Sequence, residues 1–396
     1  MTKNHPRRAL ATCCTTHILH DGLSDVTYVL LPLLAQTFSL SLAQVGLIRA
    51  AHRSAMALLL IPAGLLAERF GERNLLALGT LISGCAFLGL GNATGFAFIL
   101  TALFVAGMGS AVQHPLCSTI ISHAYPDAGR RAALGTYNFF GDVGKFAFGG
   151  AVSLFLFMGL SWQSPVIVFG MLGAVTAVIV FAAIPAIRHT AHPAHAARAG
   201  ERTRGWGIRS VQGFTALCGI EVLDSSTRTG FLTFIAFLLI SRDVSKGWAA
   251  LAVPLVLTGG MAGKLACGFL AERIGILRTV VLTELATGLC ILATLLLPGW
   301  GIFLLLPLLG VALNGTSSVL YATIGDLVEP ARLPRAFALF YTIGSICGIA
   351  APFGYGLLGD HLGVETVLLV VGMAVFLTLP LCLMLRPALR MRPATA

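Results

Sequence analysis

Apolar residues in this chain come in long unbroken runs divided by short polar turns, without the period-two alternation of a membrane barrel strand. The runs predict helices near 10–37, 43–66, 75–92, 96–121, 132–156, 164–185, 211–240, 247–270, 277–297, 301–324, 333–357 and 364–385. Each is near the roughly 20 residues that cross a bilayer, so the fold class is an all-α polytopic membrane protein with about twelve transmembrane helices. One long polar stretch, 186–210, carries His189, His192, Pro193, His195, Gly200 and Glu201 among arginines. It is read as a solvated basic linker rather than a metal tract, joining six-helix halves at 1–185 and 211–396.

The halves repeat one another. Gly64-Leu65-Leu66-Ala67-Glu68-Arg69-Phe70-Gly71 returns as Gly268-Phe269-Leu270-Ala271-Glu272-Arg273-Ile274-Gly275, each copy closing one apolar run and preceding the next. At an offset of 203 to 204 residues, Gly107 also falls on Gly310, Ala133 on Ala336, Gly141 on Gly344 and Asp21 on Asp224. Such duplication places binding and coupling sites near the bilayer midplane, where the halves face each other.

Composition agrees: 57% of residues are hydrophobic and 11% charged, which excludes an ordinary soluble domain. The formal net charge of +10 resembles a nucleic-acid footprint, but its placement says otherwise. Lys3, Arg7, Arg8, Arg69, Arg73, Arg130, Arg131, Arg273, Arg278 and the linker arginines fall on one side of the twelve-span map, and only Arg242 and Lys246 fall in loops on the other. The positive-inside rule then puts both termini in the cytoplasm, and a bacterial inner membrane is expected. No nucleic-acid partner is expected. The basic head before the first run has no small-residue cleavage site behind it, so that run is read as an uncleaved span. Nine cysteines lie in predicted helices without C-x-x-C spacing and are read as packing thiols, with no disulfide, metal or cofactor.

Charges inside the runs carry the functional signal, because an ionised side chain at mid-bilayer costs at least about 2.5 kcal/mol and usually faces a cavity. His17, Asp21 and Asp25 repeat every fourth residue and share one helix face with Ser24 and Tyr28. Arg49 and Arg53 are spaced alike, Asp142 and Lys145 lie three apart, and Glu221, Asp224 and Arg228 follow the same spacing. The proton-coupling candidates are Asp21, Asp25, Asp224 and Glu221; the substrate-binding candidates are His17, Arg53, His114, Asp142, Lys145 and Arg228. Lys264 and Glu284 are read as snorkelling toward a surface. Local neutralisation of Asp142 by Lys145 and of Asp224 by Arg228 is the plain structural alternative. The repeat also sets Asp25 against Arg228, predicting an ion pair between them. His114-Pro115 supplies both a helix-breaking proline and a group that titrates near neutral pH.

The octapeptide, extended through Glu72 and Arg73, resembles the loop motif G-x-L-A-D-R-x-G-R-R of the major facilitator superfamily, with Glu68 in place of the aspartate. His20-Asp21, Leu31-Pro32-Leu33-Leu34, Phe38-Ser39-Leu40-Ser41, Gln44-Val45-Gly46-Leu47, Gly107 through Pro115 and Gly141-Asp142-Val143-Gly144 resemble its fosmidomycin-resistance branch of drug exporters, although Asp142 and Lys145 stand where uncharged residues are expected. The resemblance implies that the first, fifth and seventh helices line a central cavity. It also implies that Gly64, Glu68, Arg69, Gly71, Arg73, Gly268, Glu272 and Arg273 form cytoplasmic gates.

No P-loop is present and no soluble part is large enough to hydrolyse a nucleotide, so a gradient is the expected energy source and an enzyme is not expected. The reading is a secondary transporter: a proton-coupled exporter of a small polar or anionic compound working by alternating access. An importer or uniporter of a metabolite anion such as a carboxylate is the alternative, and a membrane receptor or enzyme the remote one. Its partners are a small-molecule substrate, protons and the lipid bilayer, and a monomer is expected.

Overall fold

The computed structural model describes residues 5–125, 129–184, 207–329 and 332–390. Much of the predicted linker, with its histidines, and the terminal basic residues Lys3 and Arg392 lie outside them. Thirteen α-helices follow one another: α1 (His5–Phe38), α2 (Leu42–Phe70), α3 (Glu72–Leu90), α4 (Phe96–Ser110), α5 (Gln113–Ala124), α6 (Arg130–Phe157), α7 (Gln163–Ala183), α8 (Val211–Ser241), α9 (Lys246–Ile274), α10 (Ile276–Leu296), α11 (Gly299–Leu327), α12 (Leu333–Val375) and α13 (Thr378–Arg390). Three of the predicted spans differ in detail. The fourth is broken into α4 and α5 around Ala111 and Val112, because Pro115 has no N–H to return to the Ala111 carbonyl. The last two run together as α12, bent at Gly363, whose φ of 81° and ψ of 164° leave the helix.

The helices fall into two compact units. The first gathers α1, α3 to α7, most of α2 and the start of α9; the second holds α8, α10 to α13, the rest of α9 and the first residues of α2. In the first unit Cys13, Cys117, Ile121 and Tyr137 share one core cluster; in the second Leu217, Ile220, Leu320 and Phe340 share another.

The sequence repeat is a repeat of packing. Gly71 and Gly275 close the two octapeptides with φ of 80° and 90°, a region that disfavours any side chain. Each donates its N–H back into the preceding helix, Gly71 to Ala67 at 2.9 Å and Gly275 to Ala271 at 3.1 Å. The motif therefore ends one helix and starts the next within a single residue. A Cβ on Gly107 would lie 2.3 Å from the His52 carbonyl, and one on Gly310 would lie 2.0 Å from the Val256 carbonyl. The same backbone-to-backbone approach occurs in each unit. Ala133 and Ala336, also related by the offset, are both buried.

Candidate functional site

In the first unit the site is built around Asp21. Its Oδ2 lies 3.3 Å from His17 Nε2 and 3.2 Å from Lys145 Nζ, and its Oδ1 lies 3.3 Å from His114 Nε2. Lys145 also donates to Asp142 at 3.1 Å. The helical spacing brings His17 and Asp21 to one face of α1; α6 supplies Asp142 and Lys145, and the break between α4 and α5 sets His114 at the start of α5. Gly141 is the clearance: a Cβ there would stand 2.5 Å from His17 Nε2 and 2.9 Å from Asp21 Oδ2.

Hydrogen bonds fix the His17 tautomer. Its Nδ1 lies 2.7 Å from the Tyr137 carbonyl, which only accepts, so Nδ1 carries the hydrogen and donates it. The ring stacks on Tyr137 at 4.0 Å between centroids, and Gln113 Nε2 donates to the Tyr137 hydroxyl at 2.7 Å. His17 Nε2 is buried with no other partner, so its approach to Asp21 is attractive only when that nitrogen is protonated as well. His20 contrasts with it. The Thr80 hydroxyl donates to the Leu76 carbonyl, which leaves its oxygen to accept from His20 Nε2 at 3.0 Å, while Ser110 sits 3.2 Å from Nδ1. A neutral His20 ring is therefore fully bonded inside the core.

Asp25 and Arg49 form a separate pair at 3.6 Å. Arg49 is fully buried, donates to Thr27 Oγ1 at 2.6 Å and to the Ser24 carbonyl at 2.9 Å, and its guanidinium lies 3.7 Å over the Tyr28 ring. Those contacts make Arg49 a clamp between α1 and α2. Arg53, one turn on, is exposed.

The second unit gathers acids. Glu221, Asp224 and Glu284 are 1%, 3% and 2% exposed. The expectation that Glu284 snorkels is corrected: its side chain is buried inside the unit rather than reaching a surface. Arg228 lies 4.0 Å from Asp224 and donates to Ser317 Oγ at 3.5 Å. Asp25 pairs with Arg49 and Arg228 with Asp224, each within its own unit. Glu221 packs against Gly344, where a Cβ would lie 2.5 Å from its Oε1, and its Oε2 has no hydrogen-bond partner. Gly344 is the repeat counterpart of Gly141.

Of the predicted gate residues, Arg69, Glu272 and Arg273 are exposed, and Arg73 lies 4.5 Å over the Phe181 ring while donating to Asn74. Gly71 is the turn described above, and Gly268 has open space at its missing Cβ. The side chains of Gly64 and Glu68 lie outside the described residues. Tyr137 and Gln113 are site residues that the charge pattern alone did not bring forward, and Glu284 joins the site from the core rather than from a surface.

His17, Asp21 and His114 bring ligand atoms within 4.8 Å of one another, close enough for a metal ion. Lys145 on the same carboxylate places a positive charge where such an ion would sit, so these residues suit a proton and an anion better.

A duplicated bundle of long apolar helices, with a cluster of charged groups buried inside each unit, defines a multi-pass membrane protein. The chain belongs to the Major Facilitator Superfamily, whose profile matches residues 13–298 and 217–395. It is 26% identical over 173 residues to the 4-hydroxybenzoate transporter PcaK of Pseudomonas putida, covering 43% of this chain and 38% of that one. To the cephamycin export protein CmcT of Amycolatopsis lactamdurans it is 27% identical over 263 residues, covering 65% and 48%. It thus spans less than half the length of these curated relatives. In structure it is similar to a bacterial homolog of the human lysosomal transporter Spinster in an inward-facing and occupied conformation, with a TM-score of 0.83 at 17% identity and full coverage of both chains. The nucleoside transporter NupG gives 0.78 at 14% identity, over 96% of this chain and 99% of that one.

Proposed function

We propose that the chain is a proton-coupled exporter of a small polar or anionic compound, working as an antiporter by alternating access between halves 1–185 and 211–396 joined by the linker 186–210. The proposal extends to the fosmidomycin-resistance branch, a monomeric state, residence in a bacterial inner membrane and cytoplasmic termini. The observation that carries it is the division of chemistry between the units. Lys145 and two histidines converge on one carboxylate in the first, whereas three buried carboxyls gather in the second. Lys145, His114, His17 and Arg53, with Asp142 holding Lys145, take the anionic part of the substrate; Glu221 and Asp224, with Glu284, exchange the coupling proton. Asp21 sets the electrostatics of the anion site, and Asp25 holds the Arg49 clamp. The octapeptides gate the cytoplasmic side through Glu68 and Glu272. Likeness to a cephamycin exporter over 65% of the chain supports the outward sense.

A second reading, uptake of an aromatic carboxylate together with protons, is favoured by the likeness to 4-hydroxybenzoate transporters. Liposomes holding the purified protein separate the two. Cephamycin or 4-hydroxybenzoate movement against an opposing proton flux supports export, a parallel flux supports uptake, and movement without proton flux removes proton coupling.

A further inference from the structure

The two octapeptide turns lead into unlike helix starts. In the first unit α3 opens with Glu72 in its first turn, a buried carboxylate 3.9 Å from His123, and Arg73 beside it covers the Phe181 ring. At the repeat offset of 204 residues Ile276 stands where Glu72 stands, so α10 opens with no acid in its first turn and no side-chain cap at Gly275. That turn carries Arg278 instead. Positive charge is thus added to a helix end whose free N–H groups are already partly positive.

A cavity of about 320 Å³ lies against this start, lined by Gly275, Ile276, Leu277 and Arg278 on one side and by Arg386 and Leu389 of α13 on the other. Its size suits a small ligand group. Both arginines are exposed, and neither has an ion-pair or hydrogen-bond partner among the described residues. Two guanidinium forks on one cavity match the oxygens of a phosphate, which Arg holds by paired N–H donors. The surroundings are apolar. The helix α10 is long and apolar enough to cross a membrane, so its first turn lies at the depth of the lipid headgroups. Leu282 and Leu289, 51% and 60% exposed, follow Arg278 along one face of α10 at steps of four and seven, and Leu383, 67% exposed, stands one turn before Arg386 on α13. Each arginine therefore heads a bare apolar track.

We propose that this cavity binds an anionic phospholipid, its phosphate held between Arg278 and Arg386 and its acyl chains lying along Leu282, Leu289 and Leu383. A basic pocket between membrane helices at headgroup depth is the setting in which such lipids are recognised. A soluble phosphate would satisfy the arginines and leave both apolar tracks bare, so the combination of charge and exposed leucines favours the lipid. Once seated, the lipid ties α10 to α13 inside the second unit. Neither arginine belongs to the charged clusters described above, so the site is independent of what the chain transports.

The test is thermal unfolding of the full chain in neutral detergent micelles, titrated with dioleoylphosphatidylglycerol, with zwitterionic dioleoylphosphatidylcholine, or with glycerol phosphate as the probe without tails. Phosphatidylglycerol is expected to raise the melting temperature at lower mole fraction than phosphatidylcholine, and glycerol phosphate to leave it unchanged. Arg278→Gln and Arg386→Gln, at exposed positions that folding tolerates, should each weaken phosphatidylglycerol about fivefold, and together about twenty-five-fold. Arg209→Gln removes another exposed arginine of the same unit, one that does not line the cavity, and should leave the preference intact. High salt should abolish the preference in the unaltered chain, a readout that needs no variant. Equal response to the two lipids, a preference that survives high salt or the double substitution, or the same loss in Arg209→Gln overturns the site. Stabilisation by glycerol phosphate that matches phosphatidylglycerol and disappears in the double variant overturns the lipid as its occupant.

Discussion

Replacing Asp21 by asparagine should expose the network at the centre of the first unit, and a double-mutant cycle with Lys145→Met isolates its strongest link. Asp21 and Lys145 stand 3.2 Å apart. At an effective dielectric of about 20 their attraction is about 5 kcal/mol before desolvation is subtracted. Removing one partner of a buried pair typically costs about 3 to 5 kcal/mol. Asp21→Asn belongs at the low end, about 3 kcal/mol, because Lys145 keeps Asp142 at 3.1 Å. Lys145→Met should cost less, about 2 kcal/mol, since Asp21 retains both histidines. The separate losses sum to about 5 kcal/mol, yet the double variant removes the pair whole and should lose only about 3, a coupling of about 2 kcal/mol. Reversible unfolding of the four proteins in mixed detergent micelles measures these values without any substrate. Additivity within about 0.5 kcal/mol would show that the carboxylate and the ammonium do not sense each other, and the picture of Asp21 as hub would be abandoned.

Other expectations follow from single contacts. Gly141→Ala drives a methyl into His17 and Asp21 and should destabilise by about 1 to 3 kcal/mol in the same unfolding assay; Gly150→Ala, with open space around it, should gain about 0.5 to 1 kcal/mol. With 15N-labelled histidine, His17 should show a hydrogen-bonded N–H at Nδ1, and a ring whose Nδ1 lacks that hydrogen would contradict the bond to the Tyr137 carbonyl. Asp360 accepts from the Leu42 and Ala43 amides at 2.6 and 3.0 Å at the start of α2, so Asp360→Ala should cost about 1 to 2 kcal/mol, and faster hydrogen exchange at those amides would confirm the cause.

Much of the fold is legible in the sequence because its signals are local. Pro115 marks the break in the fourth span, and the glycine closing each octapeptide marks a turn that needs positive φ. The site is only half legible. Charges at helical spacing locate His17, Asp21, Lys145, Glu221 and Asp224, but Tyr137 acts through its backbone carbonyl, which no side-chain pattern reveals. Glu284 was misplaced because a glutamate in an apolar run reads as one reaching for water. Its neighbours held the missing signal: Thr279, Thr283 and Thr287 recur every fourth residue, and all are buried, so this side of α10 is polar and turned inward. Asp25 and Arg228 show what a repeat alone leaves open. Equivalence under an internal repeat says that two residues occupy matching places, not that they touch.

Gly141 and Gly344 hold matching places in a way that offers an experimental handle. Each is a missing side chain beside the charged group of its own unit, His17 and Asp21 in one case and Glu221 in the other. A single methyl at either position works as a wedge that jams one centre and leaves the other chemically untouched, with no charge altered anywhere. Transporters usually resist dissection because any change to an ionisable residue disturbs loading and energisation together. Under the proposed function, two alanine variants, one per half, would let the two events be stalled in turn and the surviving one watched alone.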